Sequence, residues 1–376
     1  MTTSTPPRIL LAGGGSAGHV SPLLATAAQI SRRAPGAEVL ILGTPDGLEA
    51  DLVPAAGYEL LTIEKVPFPR RPDSAALRFP LRFAGTLREV RSILRDREID
   101  VVAGFGGYVC PPAYLAAFSA RSPVVVHEAN RRPGLANRLG SRRAAAVLTA
   151  FDASSLPGAR RIGMPMRDGI AHLDRGARRR EALAGFGLDP ARPVLLATGG
   201  SLGAQRMNAA VAEAAESFTE AGAQILHVTG RGKAEGLRSH PGYCVVEYVS
   251  AMEDAYAAAD LALTRSGAGT VCELTAVGLP AVLVPLPIGN GEQALNGQDV
   301  VAAGGALMVA DADLDATYLR TQVLPLLQDP ARRESMADAA RTFGISDAAE
   351  VMADIVTGVA RRGRPDRGDQ PTTVAP

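Results

Sequence analysis

The feature that most constrains the fold is a repeated series of short segments that are apolar throughout and rich in Val, Ile and Leu. Continuous apolarity predicts parallel strands buried on both faces, and helix-like stretches between the segments indicate a doubly wound α/β arrangement. The first series is "RILLAG" from Arg8, "EVLILG" from Glu38, "VVAGFG" from Val101, "PVVVHE" from Pro123 and "AVLTA" from Ala146. The second series is "PVLLATGG" from Pro193, "QILHVTG" from Gln224, "CVVEYV" from Cys244, "LALTRSG" from Leu261 and "AVLVPLP" from Ala281.

Each series opens with the same combination of strand, glycine-rich turn and helix start, in "RILLAGGGSAGHV" and "PVLLATGGSLGAQ". The repetition predicts two similar Rossmann-like domains, residues 1–165 and 166–345, in a chain of 376 residues. Residues 346–362 are predicted to form a helix that packs back on the first domain. Residues 363–376 are polar and Pro-rich, so a disordered tail is expected there.

Composition excludes several classes of protein. Lys plus Arg and Asp plus Glu both number 39, so no global charge favours nucleic acid. Cys110, Cys244 and Cys272 form no C-x-x-C pair, which argues against a zinc site or disulfide framework and for a reducing compartment. The N-terminus lacks a basic region and a long apolar core, so no signal peptide or anchor is expected. These features favour a soluble cytoplasmic protein.

The first glycine-rich turn, "AGGGSAGHVSP", matches the dinucleotide-binding spacing G-x-G-x-x-G at Gly13, Gly15 and Gly18. That fingerprint also requires an acidic residue at the end of the second strand, where it binds the adenosine ribose. The acid of "EVLILG" is Glu38, at the beginning of the strand instead. A nicotinamide- or flavin-dependent oxidoreductase is therefore disfavoured, while a tight turn without a ligand remains an alternative.

His19 follows the last glycine, in the first turn of the predicted helix. The positive end of a helix dipole disfavours an imidazolium, so the ring is expected to be neutral and able to accept a proton. We interpret His19 as a general base. A histidine that only caps the turn is the alternative.

The second domain contains two turns suited to a nucleotide diphosphate. "TGGSLGAQ" offers consecutive backbone N–H groups, the Ser201 hydroxyl and a helix N-terminus, which suit phosphate. "TRSGAGTVCE" adds a second small-residue turn and a helix that carries Thr270 and Glu273. Helical side chains lean toward the N-terminus, so Glu273 can accept hydrogen bonds from ribose hydroxyls. Empty turns and a solvated helix charge are the alternatives.

A third polar segment, "PLPIGNGEQALN", is predicted to be a loop after a strand. Amides and a carboxylate at strand ends suit sugar hydroxyls, which both donate and accept hydrogen bonds. On composition alone the segment is equally compatible with a simple turn. Its polar residues are Asn290, Glu292, Gln293 and Asn296.

Six segments in order resemble the MurG family of bacterial peptidoglycan glycosyltransferases, which belongs to the GT-B class. They are "GGGSAGHVSP", "GFGGYVCPP", "HEANRRPGLANR", "TGGSLGAQRMN", "TRSGAGTVCELTAVGLPAVLVPLP" and "NGEQALN". The resemblance runs from Arg8 to about Arg361. It implies an α/β fold of GT-B type, in which two Rossmann-like, doubly wound parallel-sheet domains face each other across a cleft.

The resemblance also implies an activity. Such enzymes transfer N-acetylglucosamine from UDP-N-acetylglucosamine to the C4 hydroxyl of the muramyl sugar of lipid I, giving lipid II with inversion, without a metal or other cofactor. They work at the cytoplasmic face of the plasma membrane as peripheral proteins, alongside other cell-wall synthesis and division proteins. The alternatives are a different GT-B enzyme or UDP-sugar epimerase with a soluble substrate, and a non-catalytic subunit that binds a sugar nucleotide.

Carried over by position, the resemblance assigns His19 as the base and places Tyr108 and His127 on the acceptor side. His127 ends an apolar strand, so a core histidine is the alternative. Ala17 stands where the family commonly has glycine, and Glu292 where other members often have an amide, which favours Gln293 as the sugar contact. The implied donor-binding residues are Ser16, Ala17, Gly18, Asn130, Arg167, Ser201, Val249, Ala268, Gly269, Thr270, Glu273 and Gln293.

Residues 65–97 contain nine basic residues and three acidic ones, with apolar residues between them. A lipid acceptor requires contact with a membrane, and this composition suits a peripheral patch for anionic lipid. Pro80 and Gly85 are expected to break any regular helix here. An ordinary basic helix face, apolar on its core side, is the alternative. The proposed patch residues are Arg78, Phe79, Arg82, Phe83 and Arg88.

Overall fold

The computed structural model describes residues 6–69, 74–152, 154–199, 204–287 and 291–362. It contains one seven-stranded and one six-stranded parallel sheet, so the predicted pair of doubly wound α/β sheets is confirmed. The first sheet has β1 Arg8–Ala12, β2 Glu38–Gly43, β3 Glu59–Thr62, β4 Val101–Gly104, β5 Val124–Glu128, β6 Ala146–Thr149 and β7 Ala159–Arg161. The second has β8 Val194–Thr198, β9 Gln224–Val228, β10 Tyr243–Val246, β11 Leu261–Thr264, β12 Ala281–Leu283 and β13 Ala306–Met308.

All ten apolar runs form strands, and three further strands, β3, β7 and β13, escaped prediction. Each of the three is only three or four residues long and lies at a sheet edge. The sequences "ELLT" and "ARR" lack the continuous apolar pattern of the central strands, whereas "ALM" is apolar but only three residues long.

The strand order explains where a site can form. The first sheet runs β3-β2-β1-β4-β5-β6-β7 and the second β10-β9-β8-β11-β12-β13. The order reverses between β1 and β4 and between β8 and β11, so the loops that follow these strands diverge and leave a crevice at their carboxyl ends. The first glycine-rich turn follows β1, and the second, much of which lies outside the described residues, follows β8 in the sequence.

Helices flank the sheets. Those associated with the first series of strands are α1 Ala17–Arg33, α2 Leu48–Ala55, α3 Ser74–Asp96, α4 Cys110–Ala120 and α5 Leu135–Gly140. The later ones are α6 Asp168–Ala171, α7 Arg175–Gly185, α8 Gln205–Glu220, α9 Met252–Ala258, α10 Ala268–Val277, α11 Glu292–Ala302, α12 Ala316–Tyr318, α13 Leu324–Gln328, α14 Pro330–Arg341 and α15 Ala348–Arg362. A 3₁₀ turn spans Asp311–Asp313, and a π-helical segment, Leu319–Val323, joins α12 to α13.

The expectation that Pro80 and Gly85 break the helix was wrong, because α3 continues through both. Both residues lie on the exposed side. The opposite side carries the buried Thr86, Val90 and Leu94, and the last two join the apolar core that α4 also lines. Tertiary packing therefore holds this helix despite the local cost of proline and glycine.

The last helix, α15, returns to the first sheet. It packs along α1 and touches β1 and β4, so its apolar side belongs to the same core as those strands. The residues it contributes are Met352, Ala353, Val356, Val359 and Ala360. Among the residues that the structure describes, no helix combines the length and apolar character that crossing a bilayer requires.

Candidate active site

His19 lies in the first turn of α1, as predicted. Its Nδ1 is 3.0 Å from the carbonyl oxygen of Gly14 and 3.2 Å from the Ser16 hydroxyl. Because a carbonyl oxygen can only accept a hydrogen bond, the ring proton of neutral His19 resides on Nδ1 in this contact. The Nε2 atom is then left as the acceptor.

The loop after β4 closes directly over His19. A Cβ atom on Gly106 would lie 2.8 Å from the Nε2 atom of His19, and Gly106 has a φ of +109°. A Cβ atom on Gly107, which has a φ of +88°, would overlap the carbonyl oxygen of Gly14. Glycine is therefore required at both positions, since a side chain would displace the imidazole or the turn that holds it.

A cavity of about 490 Å³ opens beside the imidazole. His19, Ser16 and Asn130 supply polar groups to its wall, within the volume range typical of small-molecule sites. Tyr108, the other residue assigned to the acceptor side, lines the cavity, is 41% exposed, and has the Lys65 Nζ 5.3 Å from its ring centroid. The apolar part of the wall is Val66, Phe68, Pro69, Phe83, Pro111, Leu135 and Ala136.

His127, in contrast, does not line this cavity. Its side chain is fully buried, and Nε2 is 2.9 Å from the carbonyl oxygen of Gly163. Burial lowers the pKa of His127 to about 4, against a smaller opposing effect of that hydrogen bond. The alternative interpretation as a core histidine therefore describes its position.

Glu128 is a site residue that the sequence reasoning missed. It is 3% exposed and accepts hydrogen bonds from the backbone N–H groups of Asn130 and Gly134 and from the Asn137 amide, at 2.9 to 3.0 Å. These bonds fix the loop that presents Asn130 to the cavity. The available signal was a carboxylate at the end of an otherwise apolar strand, in "VVVHE".

On the second domain, Glu273 and Arg167 lie close together. Glu273 is half-buried and accepts a 2.7 Å hydrogen bond from the Tyr256 hydroxyl. Burial raises the pKa of Glu273, and the Tyr256 hydroxyl and the Arg167 charge oppose that shift. Arg167 also donates to the carbonyl oxygen of Ser250, 3.2 Å away and adjacent to the half-buried Val249. The structure thus brings together three of the predicted donor-binding positions.

The phosphate turn predicted before Glu273 lies at the start of α10. Ala268, Gly269 and Thr270 form the first turn of α10, where backbone N–H groups point out of the helix end. Ser201 lies outside the described residues, which resume at Ala204 just before α8. Asn290, from the third polar segment, also lies outside them.

Glu292, Gln293 and Asn296 lie on α11 rather than in the predicted loop. The helix begins right after Gly291, whose φ of +74° ends the preceding turn. The Gln293 side-chain oxygen accepts from the backbone N–H of Leu286 at 2.9 Å. Gln293 is therefore tied to the segment that follows β12.

The two domains contact each other through the loop after β5 and α11. The Asn296 amide nitrogen is 3.2 Å from the Asn130 side-chain oxygen, and the Asn296 oxygen accepts from the Arg131 backbone N–H at 3.0 Å. An ion pair of 2.5 Å joins Arg131 to Asp299. Asn130 belongs to the cavity beside His19, so these bonds connect that cavity to α11.

The proposed patch residues all lie on α3. Phe79 and Phe83 are half-buried and stack on each other, with ring centroids 5.4 Å apart. Arg82 forms a 2.7 Å ion pair with Glu64, and Arg78 and Arg88 are exposed. Their neighbours Leu77 and Leu81 are the most exposed large apolar residues in the described part of the chain, at 83% and 79%.

Within the described residues, no group of three or more His, Cys, Asp or Glu side chains is arranged to hold a metal ion. The three cysteines are free, and Cys110 is buried.

Comparisons with known proteins agree on one family. The model of the glycosyltransferase family 28 N-terminal domain matches residues 9–149, and that of the C-terminal domain matches residues 194–352. A Paenarthrobacter aurescens protein named UDP-N-acetylglucosamine--N-acetylmuramyl-(pentapeptide) pyrophosphoryl-undecaprenol N-acetylglucosamine transferase is 53% identical over 358 residues, 94% of this chain and 96% of that protein. A Streptomyces coelicolor protein of the same name is 50% identical over 361 residues, 95% of this chain and 99% of that protein.

Solved structures give the same result. The crystal structure of Acinetobacter baumannii MurG superposes with a TM-score of 0.77 at 27% identity, covering 94% of this chain and 100% of that one. The calicheamicin glycosyltransferase CalG4 is similar in fold, with a TM-score of 0.71 at 20% identity, covering 96% and 100% of the two chains. The chain therefore belongs to glycosyltransferase family 28 and, within it, to the MurG family.

Proposed function

We propose that this protein transfers N-acetylglucosamine from UDP-N-acetylglucosamine to the C4 hydroxyl of the muramyl sugar of lipid I, and so makes lipid II. The names of its close relatives support this substrate pair. The observation that carries the chemistry is the orientation of His19. Its Nδ1 is held by Gly14, while Nε2 faces the loop that lines a cavity large enough for a sugar.

The second domain binds the donor in this proposal. Glu273 accepts hydrogen bonds from the ribose hydroxyls, and Arg167 and Val249 lie against the uracil. The diphosphate contacts the N-terminal turn of α10 at Ala268, Gly269 and Thr270, and also Ser201, which precedes α8 in the sequence. Two helix N-termini place partial positive charge where the phosphates sit. Gln293 binds hydroxyls of the sugar, and Asn130 approaches it from the first domain.

The first domain binds the acceptor and activates it. The cavity beside His19 holds the muramyl sugar, with Ser16, Ala17 and Gly18 facing the donor sugar and diphosphate and Tyr108 on the acceptor side. His19 Nε2 takes the proton of the C4 hydroxyl as its oxygen forms a bond to the anomeric carbon. The bond from that carbon to the UDP oxygen breaks, and UDP leaves with the electron pair. Attack opposite the leaving group inverts the anomeric configuration.

The acceptor is a membrane lipid, so the enzyme works as a peripheral protein on the cytoplasmic face of the plasma membrane in this proposal. On α3, exposed Leu77 and Leu81 lie beside the cationic Arg78, Arg82 and Arg88. Apolar side chains that insert between lipids and arginines that attract anionic headgroups are the two parts of peripheral attachment. Phe83 belongs to both α3 and the cavity wall, so the membrane face and the acceptor site adjoin.

The deciding experiment supplies the purified protein with UDP-N-acetylglucosamine and a short-chain lipid I analogue. We expect equal amounts of free UDP and the disaccharide product, measured by mass spectrometry and coupled UDP detection. UDP release without disaccharide, or no turnover, would refute the proposal.

A variant tests the base. His19→Ala is expected to lower kcat on the order of 100-fold or more, the usual contribution of a positioned general base, while leaving UDP affinity unchanged. The exposed His240 supplies the matched control, since His240→Ala removes an imidazole that does not line the cavity. Equal turnover of the two variants would remove His19 from the base role.

A further inference from the structure

Glu49 is a buried carboxylate beside the first glycine-rich turn. It is the second residue of α2 and is 0% exposed. One of its oxygens, Oε1, accepts hydrogen bonds from the Thr44 backbone N–H at 3.0 Å and the Thr44 hydroxyl at 2.7 Å. The other, Oε2, accepts from the Gly15 N–H at 3.0 Å. A buried carboxylate that accepts three hydrogen bonds holds the surrounding backbone in place and is not a solvated surface charge.

The surrounding chain is shaped to admit this side chain. A Cβ atom on Gly14 would lie 2.7 Å from the Glu49 carboxyl carbon, and one on Gly43 would lie 2.6 Å from its Cγ. A Cβ atom on Gly47 would overlap the same carboxylate. Three glycines therefore surround one acid. Burial by itself raises the pKa of Glu49, but the hydrogen bonds from Gly15 and Thr44 outweigh it, so the net pKa lies below the usual value.

The Gly15 N–H that binds Glu49 and the Gly14 carbonyl that binds His19 belong to one peptide group. In a trans peptide the N–H and C=O are coplanar and point in opposite directions. Glu49 and His19 therefore hold opposite ends of the same plane. Gly15 has a φ of +82° and Gly14 has no side chain, so rotation of this plane meets little steric resistance without an anchor.

We propose that Glu49 is a positioning residue for His19, which fixes the Gly14–Gly15 peptide plane and through it the orientation and tautomer of the catalytic imidazole. Its charge also polarises the peptide, which strengthens the Gly14 carbonyl as acceptor for Nδ1–H. The kinetic part rests on the proposed function, because it takes His19 as the base. The tautomer part does not, because it concerns the protein without substrate.

The test follows the His19 ring nitrogens by NMR in ¹⁵N-histidine-labelled protein at a pH where the ring is neutral. The chain has five histidines, and the missing signals of His19→Gln identify those of His19. We expect His19 to be protonated on Nδ1 in the wild type and to become a mixture of tautomers in Glu49→Ala. Glu49→Gln, which keeps the shape without the charge, is expected to shift in the same direction.

Kinetics provide the second measurement. Glu49→Ala and Glu49→Gln are both expected to lower kcat on the order of 10- to 100-fold, because displacement of a supporting group disturbs the geometry of the catalytic side chain. The KM for UDP-N-acetylglucosamine is expected to stay within about twofold of the wild type. The matched control is Thr44→Val, which removes a hydrogen bond to Oε1 and leaves the Gly15 bond to Oε2. This control is expected to keep the His19 tautomer and most of kcat.

Two results would overturn the inference: an unchanged His19 tautomer in both Glu49 variants, or an equal tautomer change in Thr44→Val. Thermal unfolding of each variant identifies loss of fold, and Glu49→Gln serves if Glu49→Ala does not fold. Failure of lipid II synthesis by the wild type would refute the proposed function and leave the tautomer measurement decisive for Glu49.

Discussion

A substitution of the single side chain Glu273 tests the proposed donor site. Glu273→Gln keeps the shape and the oxygen that accepts from Tyr256, but removes the charge offered to the ribose. Hydrogen bonds to charged groups contribute about 1.5–3 kcal/mol, so UDP affinity is expected to fall about 10-fold or more. Isothermal titration calorimetry with UDP measures this affinity in the wild type and in Glu273→Gln.

The control for Glu273 is Tyr256→Phe, which removes the hydroxyl partner and leaves the carboxylate. Its effect on UDP affinity is expected to be the smaller of the two. Because burial raises the Glu273 pKa, UDP affinity should also fall with acidification through that raised pKa in the wild type but not in Glu273→Gln. Equal affinities of the wild type and Glu273→Gln would exclude the ribose contact.

His127 gives a pH-dependent prediction. Its pKa is about 4 in the folded protein, against the ordinary value of 6.5, so between these values the unfolded chain binds more protons. Stability therefore falls as pH drops from 6.5 toward 4, by about 2 kcal/mol at pH 5. Urea unfolding at pH 7 and pH 5 is expected to show this loss, reduced by about that amount in His127→Gln. An unchanged pH dependence of stability in His127→Gln would contradict the assignment.

Sequence reasoning placed single residues well where motif and local geometry agree. His19 was located because the glycine turn fixes the helix start at Ala17, two residues before it. Glu49 was missed because its partner, the Gly15 N–H, lies in a loop 34 residues away. Glu128 was missed because two of its partners are backbone N–H groups, whose directions depend on the conformation of the following loop. The position of His127 inside the core depends on Gly163, 36 residues away, and is equally invisible to a local pattern.

At the scale of elements, α3 shows how packing overrides propensity. The sequence predicted its basic and apolar character but not its continuity, because Val90 and Leu94 gain their stabilisation from the core shared with α4 rather than from neighbours in sequence. The central strands were predictable for the opposite reason. Burial on both faces makes each strand apolar throughout, so the pattern is complete within the segment itself.

The exposed face of α3 carries a membrane prediction. Replacing Arg78, Arg82 and Arg88 with Glu changes the charge of this face by six units and is expected to weaken sedimentation with anionic vesicles on the order of 10-fold or more, at about 1 kcal/mol per arginine. Neutral vesicles should show little difference. Binding to anionic vesicles is measured as a function of salt, which screens the attraction.

The matched control for α3 makes the same charge change elsewhere. Arg180, Arg238 and Arg332 are exposed and lie on the second domain, so their replacement by Glu alters net charge equally without touching α3. Equal loss of vesicle binding in both triple variants would show that net charge, rather than this face, attracts the membrane. A separate Leu77→Ser and Leu81→Ser pair tests apolar insertion, and it should weaken binding at high salt as well.

At the scale of the whole molecule, the chain crosses between its two domains more than once. The main connection lies between β7 and β8, and α15 then returns to the core of the first sheet. The two-domain repeat was evident in the sequence because each half repeats a local pattern. The contacts between the halves were not, because Arg131 and Asp299 are 168 positions apart and meet only when both domains have folded.

That ion pair gives the last prediction. Its side chains are 21% and 39% exposed, so its effect on overall stability is expected to be small, about 0.5–1 kcal/mol. Its position matters more, because it ties the loop carrying Asn130 to α11, which carries Gln293. Asp299→Asn is therefore expected to favour a more open arrangement of the domains and to raise KM for UDP-N-acetylglucosamine about two- to fivefold. X-ray scattering should give a larger radius of gyration than in the wild type.

Glu59→Gln is the control for Asp299→Asn, because it breaks an ion pair with Arg97, also 2.5 Å long, inside the first domain and removes the same charge. It should leave the radius of gyration and KM unchanged, since both partners move together. If UDP binding favours the closed arrangement of the domains, saturating UDP should reduce the difference in radius of gyration between Asp299→Asn and the wild type. If the Asp299 variant scatters like the Glu59 variant with and without UDP, the pair does not hold the domains together, and the contacts of Asn296 with Asn130 and Arg131 suffice.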